Sequence, residues 1–427
     1  MLFKEHWNYK IRFPFLTEKD FVYLMNFTGH EMNEVSRYIC ILDDNMHVGW
    51  VLMDLSKAFD ALPHGLLIAK LHAYGVSQPA CELICDYLNN RRQRVWLPQA
   101  QSEWKHVKRG VPQGSVMGPL LFNIFKNDIF YFLESLCCLY NYADDDTISH
   151  SDHDIENLQY KLSNASVQAV NWFRNNGMQA NAPKFQVAFF SRTKDVDSIT
   201  VTVNDVILKS QSNVKLLGVT VDGKLKFDKH VSDICKKAAV QVNGLSRLAL
   251  YLPKKSLFNI YVCYVVSNFL YCPLAWHFCS KISTMKMEKV QERALRIILN
   301  DCESDYKNLL IKTNRLSLYT TRLQLIVTEV FKATQGMSPS FINELFTIKR
   351  QNYEFRDKNT LEVPSFKTIG FGKYCLSYLG PYLWNSLKIN CKDVKSLNEF
   401  REVIRNWRGP MCKCGYCLVC LYSYGCM

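Results

Sequence analysis

Apolar and polar residues alternate along the chain in blocks that suit packed strands and helices. Residues 48–54 form an apolar run of strand length that ends in a carboxylate. This pattern predicts a buried strand that delivers Asp54 to the edge of a sheet. Residues 155–175 carry apolar positions at helical spacing and are followed by Asn176 and Gly177, which predicts a long amphipathic helix. The first half of the chain is therefore expected to combine strands with helices.

The second half of the chain has a helical pattern. Gly and Pro are scarce within four stretches, residues 228–250, 254–279, 284–300 and 317–335. From about Gly336 the predicted helices shorten and turn residues become more frequent. The two halves together predict an α+β fold.

Composition excludes two broad classes of protein. With 427 residues, 48% hydrophobic and 13% aromatic, the chain carries too much apolar material for a disordered protein. No apolar run reaches the roughly 18 residues that a membrane-spanning helix needs, and the first residues do not resemble a secretory signal. We therefore expect an intracellular protein of the nucleus or cytoplasm, with no membrane partner. Its 17 Cys are expected to be mostly buried thiols.

Charge is divided unevenly between the two halves. Residues 1–150 carry 14 basic and 17 acidic residues, whereas residues 151–427 carry 38 basic and 22 acidic residues. Residues 224–296 alone contain 13 basic and 4 acidic residues. An acidic front followed by a basic rear suggests a site that holds metal next to a surface that holds phosphate.

Three carboxylates are candidate metal ligands. Asp54 closes the first strand, and Asp144 and Asp145 lie in an acidic turn between two short apolar stretches. Neighbouring carboxylates repel one another unless a cation neutralises them, and a pair of divalent ions on such oxygens supports nucleotidyl transfer. Two Asp in a turn are also common for backbone reasons alone. The surrounding residues therefore decide between the two interpretations.

The surrounding residues form three ordered motifs: DLSKAFDALPH at 54–64, GVPQGSVMGPLLFNIFKNDI at 110–129 and YADDDT at 142–147. Over roughly residues 46–300 the sequence resembles the reverse transcriptases of non-LTR (LINE-type, jockey-like) retrotransposons. The resemblance implies an RNA-directed DNA polymerase with a right-hand palm, an antiparallel sheet with packed helices, followed by a helical thumb. It also implies Mg²⁺ or Mn²⁺ as cofactor, and an RNA template, a DNA primer and deoxynucleoside triphosphates as partners.

The resemblance also implies roles for individual residues in the palm. Asp54, Asp144 and Asp145 match the catalytic metal ligands of the family. Phe59 matches the bulky position that excludes a 2′-hydroxyl, although an aromatic core residue would fit the same place. Gln113 and Gly114 match the loop that contacts nucleotide and template.

Further residues match positions that contact the substrates elsewhere. Lys184 matches a charge partner of the leaving pyrophosphate, or is a solvated lysine at a strand start. Leu217 and Gly218 match the hairpin that grips the primer end. The basic helices supply candidate phosphate contacts, or ordinary surface charges. These candidates are Lys236, Lys237, Lys254, Lys255, Arg293 and Arg296.

The resemblance divides the chain into four predicted regions: 1–45 as a truncated fingers remnant, 46–222 as palm, 223–335 as thumb-like basic domain and 336–427 as C-terminal region. Because only 53 residues precede Asp54, we expect most of the fingers and any endonuclease to be missing. A catalytically inactive nucleic-acid-binding remnant is therefore the alternative function. In the tail, four thiols are candidate zinc ligands, although their spacing is tighter than usual. They are Cys412, Cys414, Cys417 and Cys420.

Overall fold

The computed structural model describes residues 38, 41–192, 196, 198–338, 340–349, 359–373 and 375–410, without the side chains of 340, 341, 369 and 389. The chain divides into two compact units. Among the described residues, the first unit holds 46–192, 196 and 198–214, and the second holds 38, 41–45 and the described residues from 215 onward. The described residues mix helices with sheets, as the sequence predicted.

The strands are short and most of them lie in the first unit. In chain order they are β1 (His47–Met53), β2 (Arg92–Gln93), β3 (Trp96–Leu97), β4 (Ala100–Gln101), β5 (Lys105–His106), β6 (Cys138–Tyr142), β7 (Asp145–Asp152), β8 (Gln186–Phe190), β9 (Thr200–Val203), β10 (Val206–Lys209), β11 (Asn213–Leu216) and β12 (Val219–Asp222). Four of them form a sheet in the order β6-β7-β1-β8. The other strands form two-stranded sheets, β2-β5, β3-β4, β10-β9 and β11-β12.

The helices occur in both units. In chain order they are α1 (Ala58–Ala61), α2 (His64–Ala73), α3 (Gln78–Leu88), α4 (Met117–Lys126), α5 (Asp128–Leu133), α6 (Ile155–Asn175), α7 (Asp228–Leu248), α8 (Lys254–Ile260), α9 (Ser267–Leu270), α10 (Pro273–Trp276), α11 (Lys281–Leu299), α12 (Tyr306–Thr313), α13 (Leu318–Thr334), α14 (Ser340–Asn343), α15 (Leu376–Asn385), α16 (Ile389–Lys392) and α17 (Leu397–Ile404). A 3-10 turn covers Ala182–Lys184, and π-helical segments cover Tyr261–Val266 and Ile369–Lys373.

Strand β1 is central to the four-stranded sheet. It pairs antiparallel with β7 on one side and with β8 on the other. All but one of its residues are buried, which explains its continuous apolar sequence. Helix α6 packs on the sheet with Leu158 and Leu162 fully buried. The close approach needs Gly49, because a Cβ at this position would overlap the Leu162 side chain.

The second unit is mainly helical. Helix α7 packs against α11, and α13 packs against α15 and α17. Phe331 of α13 stacks on Phe400 of α17, with ring centroids 4.3 Å apart, inside a buried apolar cluster. Amphipathic helices of this kind are stabilised mainly by the burial of their apolar faces. Across the described ranges, no helix combines the length and the apolar character that crossing a membrane requires.

Two predicted helices are interrupted. The apolar pattern after residue 117 predicts one helix to about Leu133, but the structure has α4 and α5, separated at Asn127. The predicted helix 254–279 is divided into α8, a π-helical segment, α9 and α10. Its last break lies at Cys272, which has a left-handed φ of 45°, directly before Pro273. Proline lacks an amide N–H and disfavours helical backbone at the preceding residue, which explains this break.

Candidate active site

Strand pairing brings Asp54 next to the acidic turn. Met53 at the end of β1 pairs with Asp146 of β7. Asp54 follows Met53, and the antiparallel register, continued by one residue, puts Asp54 opposite Asp145. The two predicted metal ligands therefore lie at the same end of the sheet, although 90 residues separate them in the chain.

The β6–β7 hairpin presents the other carboxylate. Tyr142 pairs with Asp145, so that Ala143 and Asp144 form a two-residue turn. Ala143 has a left-handed φ of 54°, as the first residue of such a tight turn requires. Asp144 and Asp145 are exposed at the tip of this hairpin. The register therefore puts the three carboxylates that the sequence singled out at the same end of the sheet.

The charges of these carboxylates act on one another. Although Asp145 is exposed at the hairpin tip, partial desolvation of its carboxylate is the main cause that raises its pKa. The charges of Asp144 and Asp146 raise this pKa further, and Asp54 adds a smaller contribution in the same direction. Lys126 acts in the opposite sense. A bound cation would relieve this repulsion. In the described ranges, no three His, Cys, Asp or Glu side chains are already gathered closely enough to hold a metal ion.

A buried ion pair lies beneath the turn. Lys126 Nζ is 2.7 Å from Asp146 Oδ2 and donates to the Ala143 carbonyl at 3.1 Å. Asn141 Nδ2 donates to the same carbonyl at 3.2 Å and to Asp146 Oδ1 at 2.7 Å. Burial raises the pKa of Asp146, and Lys126 opposes this shift. These contacts hold the backbone of the residue that precedes Asp144.

Sequence reasoning missed both members of this pair. Lys126 lies within the motif at 110–129 and Asp146 within YADDDT at 142–147, and the sequence assigns neither of them a role. One signal was available in the sequence, because Lys126 is a lone charge on an apolar helix. A buried lysine needs a partner, and a third consecutive Asp is a candidate for it.

Phe59 packs against the first unit's core while staying partly exposed. Its ring stacks on Phe122 of α4, with centroids 4.3 Å apart and an interplanar angle of 22°. Phe122 is fully buried. This position is compatible with both interpretations of Phe59, as the residue that excludes a 2′-hydroxyl and as an aromatic core residue. A ring that packs against Phe122 on one face still presents its other face.

The loop around Gln113 is tied to the segment that carries Phe59. Gly110 N–H donates to the Leu62 carbonyl at 2.7 Å, and Gln113 Nε2 donates to Asp60 Oδ1 at 3.1 Å. Gly110 has a φ of 86°, and a Cβ there would lie 2.6 Å from Asp60 Cα. Gly114 has a φ of 77° with open space around it. The loop therefore presents an exposed amide and an exposed glycine.

Lys184 lies near Asp54. Its Nζ is 3.8 Å from Asp54 Oδ2, and both side chains are substantially exposed. The main chains of the two segments are also linked, since Asn181 N–H donates to the Asp54 carbonyl at 3.0 Å. Such an exposed pair adds little stability. Its position is the relevant observation, because it puts a cation beside the predicted metal ligands.

The residues predicted to grip the primer form the turn of the β11–β12 hairpin. Leu217 and Gly218 have φ values of 46° and 86°, which is typical of a two-residue hairpin turn. Tyr271 Oη donates to the Leu217 carbonyl at 2.7 Å. The tyrosine ring lies against the site of a Gly218 Cβ. The backbone of this turn is therefore fixed within the second unit.

The predicted phosphate contacts differ in their surroundings. Lys236 and Lys237 are exposed on α7. Three other candidates bind the protein's own groups. Lys254 Nζ donates to Leu299 O, Arg293 to Asn243 Oδ1, and Arg296 pairs with Glu292. Lys255 is exposed at the start of α8. The four predicted zinc ligands from Cys412 to Cys420 lie outside the described residues.

Comparison with known proteins assigns a family to part of the chain. Residues 28–221 match the family described as "Reverse transcriptase (RNA-dependent DNA polymerase)". The chain is 26% identical over 289 residues to the "Probable RNA-directed DNA polymerase from transposon BS" of Drosophila melanogaster, covering 64% of this chain and 31% of the relative. It is 27% identical over 271 residues to the "RNA-directed DNA polymerase from mobile element jockey" of Drosophila funebris, covering 60% of this chain and 29% of the relative. The chain therefore spans about a third of the length of these relatives.

Among solved structures, the apo telomerase of Candida Tropicalis is similar at 12% identity, with a TM-score of 0.36, over 74% of this chain and 58% of that one.

Proposed function

Residues 28–221 match the reverse transcriptase family, with relatives among non-LTR retrotransposons, and on that premise we propose that this chain is an RNA-directed DNA polymerase. In this proposal the chain extends a DNA 3′-hydroxyl on an RNA template. The four-stranded sheet of the first unit with its helices is the palm, and the helices of the second unit are the thumb. The register that puts Asp54 opposite Asp145 is the observation that supports the proposal most.

Asp54, Asp144 and Asp145 would hold two Mg²⁺ ions. The donor set fits, because hard divalent cations prefer carboxylate oxygens and because, in addition to desolvation, the charges of Asp144 and Asp54 raise the pKa of Asp145. Bound metal would supply the activation of the attacking hydroxyl and the stabilisation of the leaving phosphate oxygen. The protein's own contribution is to keep the three carboxylates at one end of the sheet.

Other residues would orient the substrates. The exposed side of Phe59, whose ring is fixed by Phe122, would lie against the sugar of the incoming nucleotide and exclude a 2′-hydroxyl. Gln113 would offer its amide to nucleotide and template, with Gly114 allowing close approach of the backbone. Lys184 would neutralise charge on the leaving pyrophosphate.

The second unit would bind the primer–template. The turn at Leu217 and Gly218 would contact the primer end through its backbone. The exposed cations Lys236, Lys237 and Lys255 would contact phosphates, a contribution that is independent of sequence and weakens with salt. Three further cations would add to the positive electrostatic potential that attracts these phosphates, although their side chains bind groups of the protein itself. They are Lys254, Arg293 and Arg296.

Primer extension with purified protein tests the proposal. The substrate is a labelled DNA primer on an RNA template, with Mg²⁺ and all four deoxynucleoside triphosphates. Asp54→Asn and Asp145→Asn are expected to abolish extension, whereas Asp86→Asn, a change at an exposed carboxylate on α3, should leave it intact. Extension that survives both site changes would contradict the assigned residues. Binding of primer–template without any extension by the unaltered protein would favour the inactive remnant instead.

A further inference from the structure

Residues 91–109 form a narrow hairpin that the proposed catalytic site does not use. In the β2–β5 ladder Arg92 pairs with His106, and in the β3–β4 ladder Trp96 pairs with Gln101. Two hydrogen bonds between Val95 and Ser102 connect the ladders. The ladders are therefore consecutive parts of one hairpin, which we call the basic arm.

The arm has no apolar core of its own. Every residue of its four strands is exposed. Trp96 is 68% exposed and Trp104 is 55% exposed, and Val95 and Leu97 are exposed to a similar extent. Folded proteins usually bury such side chains, so that a group of them on one short hairpin indicates a binding surface.

The charge on the arm is strongly positive. Residues 91–109 contain six Arg and Lys and a single acidic residue, Glu103. The Arg94 guanidinium lies over the Trp104 ring, 4.6 Å from its centroid. This contact puts a cation and an aromatic face on the same part of the arm. The base of the arm is anchored to the first unit, since Arg109 donates to the Gly177 carbonyl at 3.2 Å.

We propose that the basic arm binds single-stranded nucleic acid, with bases stacked on Trp96 and Trp104 and phosphates bound by Arg92, Arg94 and Lys105. Interleaved cations and exposed aromatic rings are the chemistry that recognises an unpaired strand, because each base offers an aromatic face and each nucleotide a phosphate. A duplex fits less well, since its bases are already stacked on one another. The choice of nucleic acid over an acidic protein rests on the proposed polymerase function.

The test measures binding separately from polymerisation. Asp54→Asn protein, which need not extend a primer, is titrated into a fluorescently labelled single-stranded RNA oligonucleotide and into an RNA duplex of the same length, with anisotropy as the readout. Trp96→Ala combined with Trp104→Ala is expected to weaken single-strand binding by roughly tenfold or more and duplex binding much less. Arg92→Gln combined with Arg94→Gln should weaken binding and make it less sensitive to salt.

A matched control keeps the result specific. Tyr160 on α6 is 71% exposed, and Tyr160→Ala should leave single-strand binding unchanged. All substituted side chains are exposed, so thermal unfolding should be the same in every variant. An unchanged Kd for single-stranded RNA in the double Trp variant would overturn the inference, as would an equal loss for duplex. Reduced self-association of that variant with an unchanged Kd would assign the arm to contacts between copies and overturn it too. Loss of extension in Asp54→Asn bears only on the proposed polymerase.

Discussion

Lys126 Nζ lies 2.7 Å from Asp146 Oδ2, with 2% of the Lys126 side chain and none of the Asp146 side chain exposed. The same ammonium group binds the carbonyl of Ala143, the residue before Asp144. A buried pair of this kind adds little net stability compared with an apolar pair, but the loss of one partner leaves an uncompensated buried charge. The Lys126–Asp146 pair therefore affects both the stability of the first unit and the position of its acidic turn.

Lys126→Met is expected to lower the free energy of unfolding by about 3–5 kcal/mol, because Asp146 stays buried without its cation. Urea unfolding followed by circular dichroism measures this loss. Combining Lys126→Met with Asp146→Leu should recover part of it. Lys209→Met, at an exposed position in the same unit, is the control and should stay within about 0.5 kcal/mol. If Lys126→Met and Lys209→Met lowered the free energy of unfolding equally, the result would contradict a buried ion pair at Lys126.

Substitutions at Gly110 and Gly114 distinguish two ways in which a side chain can destabilise the loop 110–115: backbone strain and steric overlap of the added Cβ. Both have positive φ, but only at Gly110 would a Cβ collide with backbone, 2.6 Å from Asp60 Cα. Gly110→Ala is therefore expected to destabilise by about 2–4 kcal/mol, from backbone strain and overlap together. Gly114→Ala should cost only the strain, about 1–2 kcal/mol. The midpoints of urea unfolding rank the two variants, and the reverse order would refute this account.

Phe59→Val tests the proposed exclusion of ribonucleotides. Removing the ring opens the space beside the sugar, so that incorporation of ribonucleoside triphosphates should rise by roughly tenfold or more relative to deoxynucleotides. Loss of the stack on Phe122 should also cost about 1–2 kcal/mol of stability. Single-nucleotide extension gives the ratio of kcat/KM for the two sugars. Phe132→Val, at a side chain that is 46% exposed on α5, should leave that ratio unchanged, and an unchanged ratio in Phe59→Val would assign Phe59 to the core alone.

His230 makes the stability of the second unit depend on pH. Burial lowers its pKa to about 4, opposed by Asp233, and its Nδ1 accepts from Thr220 N–H at 3.3 Å. Between pH 6.5 and pH 4 the unfolded chain therefore binds more protons than the folded one, so that stability falls as pH falls. The slope for one such group is at most about 1.4 kcal/mol per pH unit. The pKa of buried His277 is also lowered, so His277 adds to the loss of stability at low pH.

His230→Gln should reduce the loss of stability between pH 6.5 and pH 4 without removing it. Urea unfolding at half-unit pH steps measures the difference from the unaltered protein. Above about pH 8 the two slopes should agree, because histidine is then almost entirely neutral in both the folded and the unfolded states. Identical slopes at every pH would show that His230 is not held neutral by burial.

The amino-acid sequence determined the elements whose cause is local. The helix predicted for residues 155–175 is α6, Ile155–Asn175, because its apolar stripe lies between an Asp154 cap, which accepts from Asn157 N–H at 2.9 Å, and the stop at Gly177. The strand predicted at 48–54 is β1, His47–Met53, because a strand buried on both faces needs a continuous apolar run. The ordered motifs also led to the reverse transcriptase family, which residues 28–221 match.

Only the tertiary structure decided the relationships between distant segments. That Asp54 faces Asp145 follows from the β1–β7 register, and the partner of Lys126 follows from how α4 lies beneath the β6–β7 hairpin. No periodic pattern in the sequence predicts either pairing, because each pairing depends on which surfaces are buried against one another in the folded protein. The exposure of the tryptophans of the basic arm has a related cause, because an apolar pattern shows which residues prefer burial, while packing determines which of them are buried.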